Sequence, residues 1–256
     1  MKKINTVYFS PTGTTQKIVT SIRNGLGEIY REYNITLEKN RRDLIEFNDD
    51  DLVIFGVPVY SGRVPDLILE YFNKIKGYDT KAVFVVVYGN RDYDDALLEL
   101  KDIFESKGFE TIASAAFIGE HSYTEKVAEN RPDEEDIKTA LNFGTSIKDK
   151  IISDDIKPLK IKGNYPYREK KTGDRIIPET KDSCIKCGIC AENCPTVAID
   201  FNDYYSINKE KCIRCCSCIK KCPVNAKGFN YDRIDKMKKY LIDNFGEERK
   251  EPVIFI

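Results

Sequence analysis

Eight cysteines stand in two runs with one spacing, and no other feature of the sequence constrains the chain as strongly. The runs consist of Cys184, Cys187, Cys190 and Cys194, and of Cys212, Cys215, Cys218 and Cys222. A proline follows the fourth cysteine of each run. Such short steps place three thiolates on one tight loop, where they can surround a compact core of soft metal.

The same spacing predicts which thiolates act together. In two-cluster sites of this pattern, the fourth cysteine of each run ligates the cluster of the other run. We therefore expect two 4Fe–4S clusters. The first takes Cys184, Cys187, Cys190 and Cys222 as ligands. The second takes Cys212, Cys215, Cys218 and Cys194. A chain with such clusters is expected to move electrons.

Structural zinc and a disulfide framework are two other uses of cysteines in proteins. Structural zinc also takes four thiolates, but its usual signature is two separated Cys-x-x-Cys pairs. A disulfide framework requires an oxidising compartment. The apolar stretch after Met1-Lys2-Lys3 ends at Ser10-Pro11, which is too short for the core of a signal peptide. We therefore expect a cytoplasmic protein whose cysteines are metal ligands.

The cysteine-rich segment is an internal repeat. Residues 184–200 align with residues 212–228 without a gap, which indicates two pseudo-symmetric copies of one unit. Cys216, the ninth cysteine, stands where the first copy has Gly188. We expect it to be a small packed residue beside a cluster, rather than a reactive thiol or an alternative ligand. This segment resembles the bacterial-type ferredoxins, which implies a small α+β domain with two 4Fe–4S clusters.

Composition excludes two classes of protein. The chain has 256 residues, a net charge of −1 and 32% charged residues, whereas a general nucleic-acid binder needs a net basic face. Its longest apolar run, Ala82–Tyr88, is far below the roughly 20 residues that span a bilayer. We expect a soluble protein. All nine cysteines lie within 184–222, so the first 183 residues follow a different plan.

Those residues alternate short apolar runs with helical patterns, which predicts repeated βαβ units and a parallel sheet. The predicted strands are Ile4–Phe9, Asn34–Glu38, Leu52–Val57, Lys81–Tyr88 and Thr111–Ile118. The predicted helices are Thr15–Leu26, Pro65–Ile75, Tyr93–Ser106 and Asp133–Ile151. The fold class is therefore α/β, a doubly wound five-stranded parallel sheet of order 2-1-3-4-5.

The loop between the first strand and the first helix predicts a phosphate site. It reads Ser10-Pro11-Thr12-Gly13-Thr14-Thr15. At a helix N-terminus, backbone N–H groups and hydroxyls can bind a phosphomonoester. The alternative is a polar turn with one Ser or Thr as a helix cap, for which four hydroxyls are more than is needed. No Gly-x-Gly-x-x-Gly motif or Walker lysine is present, so a dinucleotide or a triphosphate is not the expected ligand.

This loop resembles the FMN-phosphate loop of flavodoxins. Two further loops match the flavodoxin segments that enclose the isoalloxazine ring, and both follow strands whose carboxyl ends share one sheet edge. They are Pro58-Val59-Tyr60-Ser61-Gly62-Arg63 and Tyr88-Gly89-Asn90-Arg91-Asp92-Tyr93. The resemblance implies that Tyr60 and one of Tyr88 or Tyr93 stack on the flavin, and that Gly62 lets the backbone approach N5. Arg63 would stabilise an anionic reduced flavin or be a surface charge. Many flavodoxins use a tryptophan at one ring face, and this chain has none.

His121 is the single histidine and follows the fifth predicted strand at the same edge. A role in orienting the flavin or relaying a proton is a hypothesis, since histidine protonation is readily tuned. The alternative is a structural or solvated side chain. His121 and Arg63 are the two candidates for a catalytic residue.

The sequence predicts four segments: a flavodoxin-like FMN domain over 1–151, a linker over 152–180, a two-cluster ferredoxin domain over 181–230, and a C-terminal helix and tail over 231–256. The linker is rich in basic residues that either guide an acidic redox partner or are simply solvated. They are Lys157, Lys160, Lys162, Arg168, Lys170, Lys171 and Arg175. Tyr165 and Tyr167 are expected to anchor it.

The order of the two domains resembles the ferredoxin–flavodoxin fusion proteins, iron–sulfur flavoproteins found mostly in anaerobes. The resemblance implies electron transfer between a low-potential carrier such as ferredoxin, two 4Fe–4S clusters and FMN. The alternative is an FMN-dependent oxidoreductase that reduces a small molecule with electrons fed through the clusters. The sequence decides neither this nor whether the chain forms a homodimer.

Overall fold

The computed structural model describes residues 2–153, 156–170 and 176–256. A six-stranded sheet lies between two layers of helices, and a smaller cysteine-rich unit follows it in the chain. The strands are β1 (Lys3–Tyr8), β2 (Ile29–Asn34), β3 (Ile45–Phe47), β4 (Asp51–Pro58), β5 (Ile75–Gly77), β6 (Thr80–Tyr88), β7 (Phe109–Ile118), β8 (Glu179–Thr180), β9 (Lys227–Gly228) and β10 (Val253–Phe255). The helices are α1 (Thr14–Leu26), α2 (Asp66–Phe72), α3 (Ala96–Glu105), α4 (Glu134–Ser153), α5 (Ile189–Glu192), α6 (Ser217–Lys220) and α7 (Asp232–Phe245).

The large sheet has the order β10-β7-β6-β4-β1-β2. Five of its strands are parallel, namely β1, β2, β4, β6 and β7. Numbered among themselves in chain order, they have the predicted arrangement 2-1-3-4-5. β4 and β6 lie in the middle and are buried on both faces, which explains their nearly continuous apolar sequences. The prediction of a flavodoxin-like α/β fold is confirmed.

Each face of the sheet carries its own core. Ile18 and Ile22 of α1 pack with Phe143 and Ile147 of α4 on one face. On the other face, side chains of α2 and α3 such as Ile68, Leu100 and Phe104 form the second core. α1 and α4 approach so closely that a Cβ added to Gly25 would lie 2.0 Å from the Leu141 carbonyl oxygen. Glycine is therefore required where these two helices meet.

Two of the predicted elements are wrong in position. β2 covers Ile29–Asn34 rather than Asn34–Glu38, and Glu38 begins a short 3-10 turn, Glu38–Asn40. β2 is an edge strand that pairs with β1 alone, so it has no long apolar run to mark it. The helix predicted over Pro65–Ile75 ends at Phe72, because Ile75 pairs in β5 with Ile45 of β3.

The chain leaves the α/β layers and returns to them. Beyond α7, β10 pairs antiparallel with β7, and Val253 lies opposite Ala116. Asn90 Nδ2 donates hydrogen bonds to the carbonyls of Phe245 (2.8 Å) and Glu248 (2.7 Å). The C-terminal residues thus complete the α/β domain, and the cysteine-rich unit is joined to it at both ends.

The segment that leads into the cysteine-rich unit lies on α3. The amides of Asn164 and Arg168 donate to the Asp95 carboxylate at 2.8 and 2.7 Å, and Tyr167 donates to Asp102 at 2.7 Å. Tyr167 is therefore an anchor as expected, whereas Tyr165 is 81% exposed.

Several of the basic linker residues are paired with acids of the α/β domain. The pairs are Lys162 with Asp92, Arg168 with Asp94, and Lys170 with Asp66. These three cations have acidic partners within the chain, and guidance of an acidic redox partner by the linker stays a prediction. Lys171 and Arg175 lie outside the described residues.

Candidate functional site

The loop from Ser10 to Thr15 connects β1 to α1 and is held by its first residue. The Ser10 hydroxyl accepts a hydrogen bond from the Gln16 amide at 3.0 Å. The Ser10 amide donates to Thr36 Oγ1 at 2.8 Å. Thr36 was not predicted as part of this site, because it lies beyond β2 and its position depends on how that edge strand pairs.

The inner side of the loop fits an anion. Thr15 Oγ1 is buried and has no hydrogen-bond partner among the described residues. The Thr12 and Thr14 hydroxyls lie 3.4 Å apart. Gly13 has a φ of +93°, which favours glycine, and a Cβ added there would meet nothing within 4 Å. An unpartnered hydroxyl, open space and the N-terminus of α1 together suit a phosphate group.

Tyr60 to Arg63 form a tight turn at the carboxyl end of β4. The Tyr60 and Arg63 amides each donate to the other's carbonyl, at 3.0 and 3.1 Å. Ser61 and Gly62 both have positive φ, 54° and 79°, which is the geometry of a type I′ turn. Pro58 and Val59 lead into this turn, and the Val59 amide donates to the Val87 carbonyl at 2.9 Å.

Gly62 has a packing role within the chain, and its expected role of letting the backbone approach the flavin stays a prediction. Its carbonyl already accepts a hydrogen bond from the Asp95 amide at 3.1 Å. A Cβ at Gly62 would lie 2.3 Å from Asp94 Oδ2 and 2.8 Å from Arg168 Cδ. Glycine is therefore needed for the turn and for its close packing against the segment that precedes the cysteine-rich unit.

Arg63 is also engaged elsewhere. Its guanidinium forms two hydrogen bonds to the Glu99 carboxylate, at 2.7 and 2.8 Å, and a third to the Arg168 carbonyl at 2.7 Å. It also lies over the Tyr167 ring, 4.7 Å from the centroid. Glu99 raises the pKa of Arg63 further. Glu99 compensates this charge within the chain, and the predicted role of Arg63 beside a reduced flavin stays a prediction.

The loop after β6 is more deeply packed than the sequence indicated. Tyr88 and Tyr93 are 6% and 3% exposed, and both belong to the core on the α2 and α3 face. Burial raises the pKa of Tyr88 to about 12. Stacking of one of these rings on a flavin stays a prediction. The Asn90 amide nitrogen donates to the C-terminal segment, whereas its buried Oδ1 has no partner among the described residues. Gly89 is needed because the His121 ring would lie 2.5 Å from its Cβ.

His121 lies in the loop after β7 and is neutral. Burial, together with the nearby Lys220 ammonium, lowers its pKa to about 4. Its Nδ1 accepts a hydrogen bond from the Tyr123 amide at 3.2 Å, which leaves the ring proton on Nε2. The hypotheses that His121 orients the flavin or relays a proton stay predictions.

Tyr123 is the aromatic residue that the sequence analysis missed. Its ring lies 5.8 Å from that of His121 and 5.5 Å from that of Phe229 in the cysteine-rich unit. Burial is the main cause that raises the pKa of Tyr123 to about 12, and the electrostatic effect of Cys216 is the second. The half-buried Tyr60 lies near Cys215, Cys216 and Tyr123. Tyr60 and Tyr123 thus face the second cysteine run from the sheet edge that carries the phosphate loop.

Two cavities of the cysteine-rich unit are called here the outer cavity and the inner cavity. The outer cavity is lined by Cys184, Cys187, Cys190 and Cys222. The inner cavity is lined by Cys194, Cys212, Cys215 and Cys218, and also by Cys216. Each predicted ligand set is thus brought together around one space, and thiol groups are the expected ligands of an iron–sulfur cluster.

The two sites share further local geometry. The Ala198 amide donates to Cys194 Sγ, and the Ala226 amide donates to Cys222 Sγ, both at 3.2 Å. Burial would raise the pKa of the Cys222 thiol, but the backbone amides that follow it outweigh this effect and lower the pKa. Burial raises the pKa of the Cys215 thiol to about 12. All nine cysteines are free thiols, and Cys216 is buried as expected.

The inner cavity lies against the phosphate loop. The Ser217 hydroxyl, at the start of α6, donates to the Pro11 carbonyl at 2.8 Å, and this contact is buried. Lys220 donates to Glu120 at 2.6 Å, and Arg41 donates to the Pro195 carbonyl at 2.6 Å. Ile213 packs against the core on the α2 and α3 face. The loop of the second run is therefore docked on the α/β domain.

Comparisons with known proteins match the α/β domain and the cysteine-rich unit to two separate families. A family model described as flavodoxin domain matches residues 6–128, and one described as 4Fe–4S dicluster domain matches residues 183–226. The flavodoxin domain implies FMN and the dicluster domain implies 4Fe–4S clusters, which together support electron transfer in general. A search of curated proteins finds no match.

Three solved flavodoxins are similar to this chain. The first is a flavodoxin from the domain Archaea, with 12% identity, 59% of this chain and 99% of that chain covered, and a TM-score of 0.42. The second is oxidised flavodoxin 1 from Bacillus cereus, with 16% identity, 57% and 97% coverage, and a TM-score of 0.41. The third is the Fusobacterium nucleatum flavodoxin bound to flavin mononucleotide, with 17% identity, 61% and 100% coverage, and a TM-score of 0.40. Among the described residues, no helix has the length and apolar character needed to cross a membrane.

Proposed function

Because the chain combines a flavodoxin domain with a 4Fe–4S dicluster domain, we propose that it transfers electrons between an external low-potential one-electron carrier and FMN by way of two 4Fe–4S clusters. When bound, the clusters exchange single electrons, whereas FMN takes up one or two. The carrier is a ferredoxin or another redox protein. Cysteines that serve as cluster ligands rather than in disulfides suit a reducing compartment such as the cytoplasm.

One contact carries the proposal. The buried hydrogen bond from Ser217 Oγ to the Pro11 carbonyl joins the loop of the inner cavity to the loop proposed to bind the FMN phosphate. Cys215 and Cys218 on that loop are proposed ligands of the nearer cluster. An arrangement in which one cofactor site abuts another suits transfer within the chain, whereas two unrelated binding sites need no such contact.

The side chains have distinct proposed roles. Thr12, Thr14 and Thr15 hold the phosphate through hydroxyls and amides at the start of α1. Tyr60 and Tyr123 supply half-buried aromatic rings toward the flavin. The amides of Ala198 and Ala226 donate to the fourth cysteine of each run, which tunes the reduction potentials of the sites.

An oxygen-free redox titration followed by optical absorption and EPR tests this function. Protein purified without oxygen should contain one FMN and two 4Fe–4S clusters per chain, and both kinds of centre should be reduced and reoxidised reversibly. Colourless protein free of iron would overturn the proposal. So would loaded protein in which dithionite reduces the clusters but the flavin stays oxidised.

A further inference from the structure

We propose that the exposed surface around Cys187 binds a separate small electron-carrier protein through apolar contacts. This surface, called here the outer patch, consists of Ile185, Cys187, Pro223 and Val224 at the mouth of the outer cavity. The inference rests on the function proposed above and adds to it the place where the partner docks.

The internal repeat shows what such a surface can do. In the second copy, the loop around Cys215 is already docked on a protein surface, that of the α/β domain. Ile213 packs against its core, and Ser217 donates to the Pro11 carbonyl. Cys215 is consequently buried. Ile213, which lies between the first two cysteines of this copy, thus anchors its loop to the α/β domain.

The corresponding loop of the first copy has no such cover. Ile185, which aligns with Ile213, is 60% exposed, and Cys187, which aligns with Cys215, is exposed. Val224, from the other side of the cavity mouth, is 37% exposed. Apolar side chains clustered over a cavity lined by cysteines are typical of a site that contacts another protein. The outer patch therefore repeats a docking element that the second copy uses within the chain.

Charge argues that the occupant is not a second copy of this chain. In the docked copy, Lys220 pairs with Glu120 at 2.6 Å. The first copy has the exposed Glu192 where the second has Lys220. In another copy, the α/β edge is already covered by that copy's own second run, and Glu120 is already paired with Lys220. Glu192 would also oppose Glu120 there, and like charges at close range are unfavourable. A different protein without an acidic residue at that point fits.

The exposed charges near the outer patch have both signs. Lys181 and Lys186 are balanced by Asp182 and Glu192. Affinity should therefore come from apolar burial and depend only weakly on salt, because no single-sign field steers the partner. In the transfer itself, one electron leaves the reduced carrier and enters this chain. The carrier is oxidised by one electron, and no bond or proton need move.

The test measures the dissociation constant of the loaded protein for two probes without oxygen, by surface plasmon resonance. The probes are a bacterial 2[4Fe–4S] ferredoxin and a flavodoxin. Ile185→Asp should weaken binding of at least one probe by about tenfold or more, which corresponds to about 1.4 kcal/mol. The control is Phe201→Asp, since Phe201 is 52% exposed in the same unit but lines neither cavity. The control should bind like the wild type.

Three results would overturn the docking surface. They are absence of binding to either probe, unchanged binding of Ile185→Asp, and equal weakening by Phe201→Asp. A sedimentation measurement adds a fourth, namely a dimer of this chain that Ile185→Asp dissociates. Iron and FMN are assayed in the same samples. Wild-type protein without them would overturn the proposed function, whereas loaded protein with insensitive binding would overturn only the docking surface.

Discussion

The two cysteine runs have nearly the same local structure and very different surroundings. Each run supplies three thiols from one loop, each has an amide donating to its fourth sulfur, and each contributes a short helix, α5 or α6. Yet the loop of the first run faces solvent, whereas the second is docked against the phosphate loop. Spacing therefore decides what a run can bind, and the residues between the cysteines decide what it touches. Ser217 and Lys220 make contacts that Ile189 and Glu192 do not.

The largest expected effect comes from removing one thiol from each cavity. Cys190→Ser should abolish the cluster of the outer cavity, and Cys218→Ser that of the inner cavity, since each cluster needs its four ligands. Only the second loss removes the site next to the flavin domain. We expect flavin reduction by the ferredoxin to be abolished in both variants, but small reductants should still equilibrate the remaining cluster with the flavin in Cys190→Ser alone.

Iron content, EPR and stopped-flow absorption measure these outcomes. Equal behaviour of the two variants toward dithionite would contradict the distinction between an outer and an inner site.

The second comparison exchanges the charges at matched positions. Lys220→Glu places two carboxylates side by side at a half-buried contact with Glu120. We expect the free energy of unfolding to fall by about 2 kcal/mol, since hydrogen bonds to charged groups contribute about 1.5–3 kcal/mol. Glu192→Lys is the matched control, because Glu192 is exposed, and it should change stability by less than about 0.5 kcal/mol. Denaturant unfolding of the loaded proteins measures both, and a large loss in the control would refute the assignment.

A third prediction concerns Lys227. This lysine is 4% exposed and lines the outer cavity, whereas its counterpart Ile199 lines the inner one. A buried cation stabilises the reduced, more negative state of a nearby cluster. Lys227→Met should therefore lower the reduction potential of the outer site by about 60 mV, equivalent to about 1.4 kcal/mol for one electron.

A potentiometric EPR titration can resolve this shift. The control Lys209→Met removes an exposed lysine from the same unit and should leave both potentials in place. A shift in the inner site alone would contradict the placement of Lys227.

The smallest effect concerns the pKa of His121. The folded protein holds this pKa at about 4, below the ordinary 6.5, so the ring resists protonation and stability declines as the pH falls from about 6.5 toward 4. Since Lys220 is the second cause of the shift, Lys220→Glu should raise the pKa of His121, whereas Glu192→Lys should not. Because the chain has one histidine, ¹³C-labelled histidine gives a single NMR titration curve. A curve centred near 6.5 in the wild type would contradict the buried position.

Local sequence predicted the parts of the fold whose signals are local. The buried strands β4 and β6 were found because both faces are covered, so nearly every residue is apolar. The cysteine sets were found because metal ligation fixes their spacing. β2 was misplaced and β10 was not predicted as a strand, since an edge strand has only one neighbour and its sequence carries a weak pattern.

Contacts at the site that the sequence did not indicate have a different origin. Arg63 and Asn90 stand in loops that resemble flavin loops, but their partners, Glu99 and the Phe245 carbonyl, lie far away in the sequence. No local pattern reveals that the Arg63 guanidinium and the Asn90 amide nitrogen already have partners within the chain. Tyr123 could have been predicted as a site residue, because its loop follows a strand at the sheet edge where the other site loops lie.

The pairing of β10 with β7 has a consequence for any attempt to divide the molecule. Ending the chain after residue 230 would delete the final strand and expose the backbone edge of β7 along Ser114–Ala116. Unpaired strand edges of this kind promote aggregation. The cysteine-rich unit is an insertion within the α/β domain rather than a C-terminal addition. An α/β domain produced alone would therefore need the segments before and after that unit to be joined by a linker.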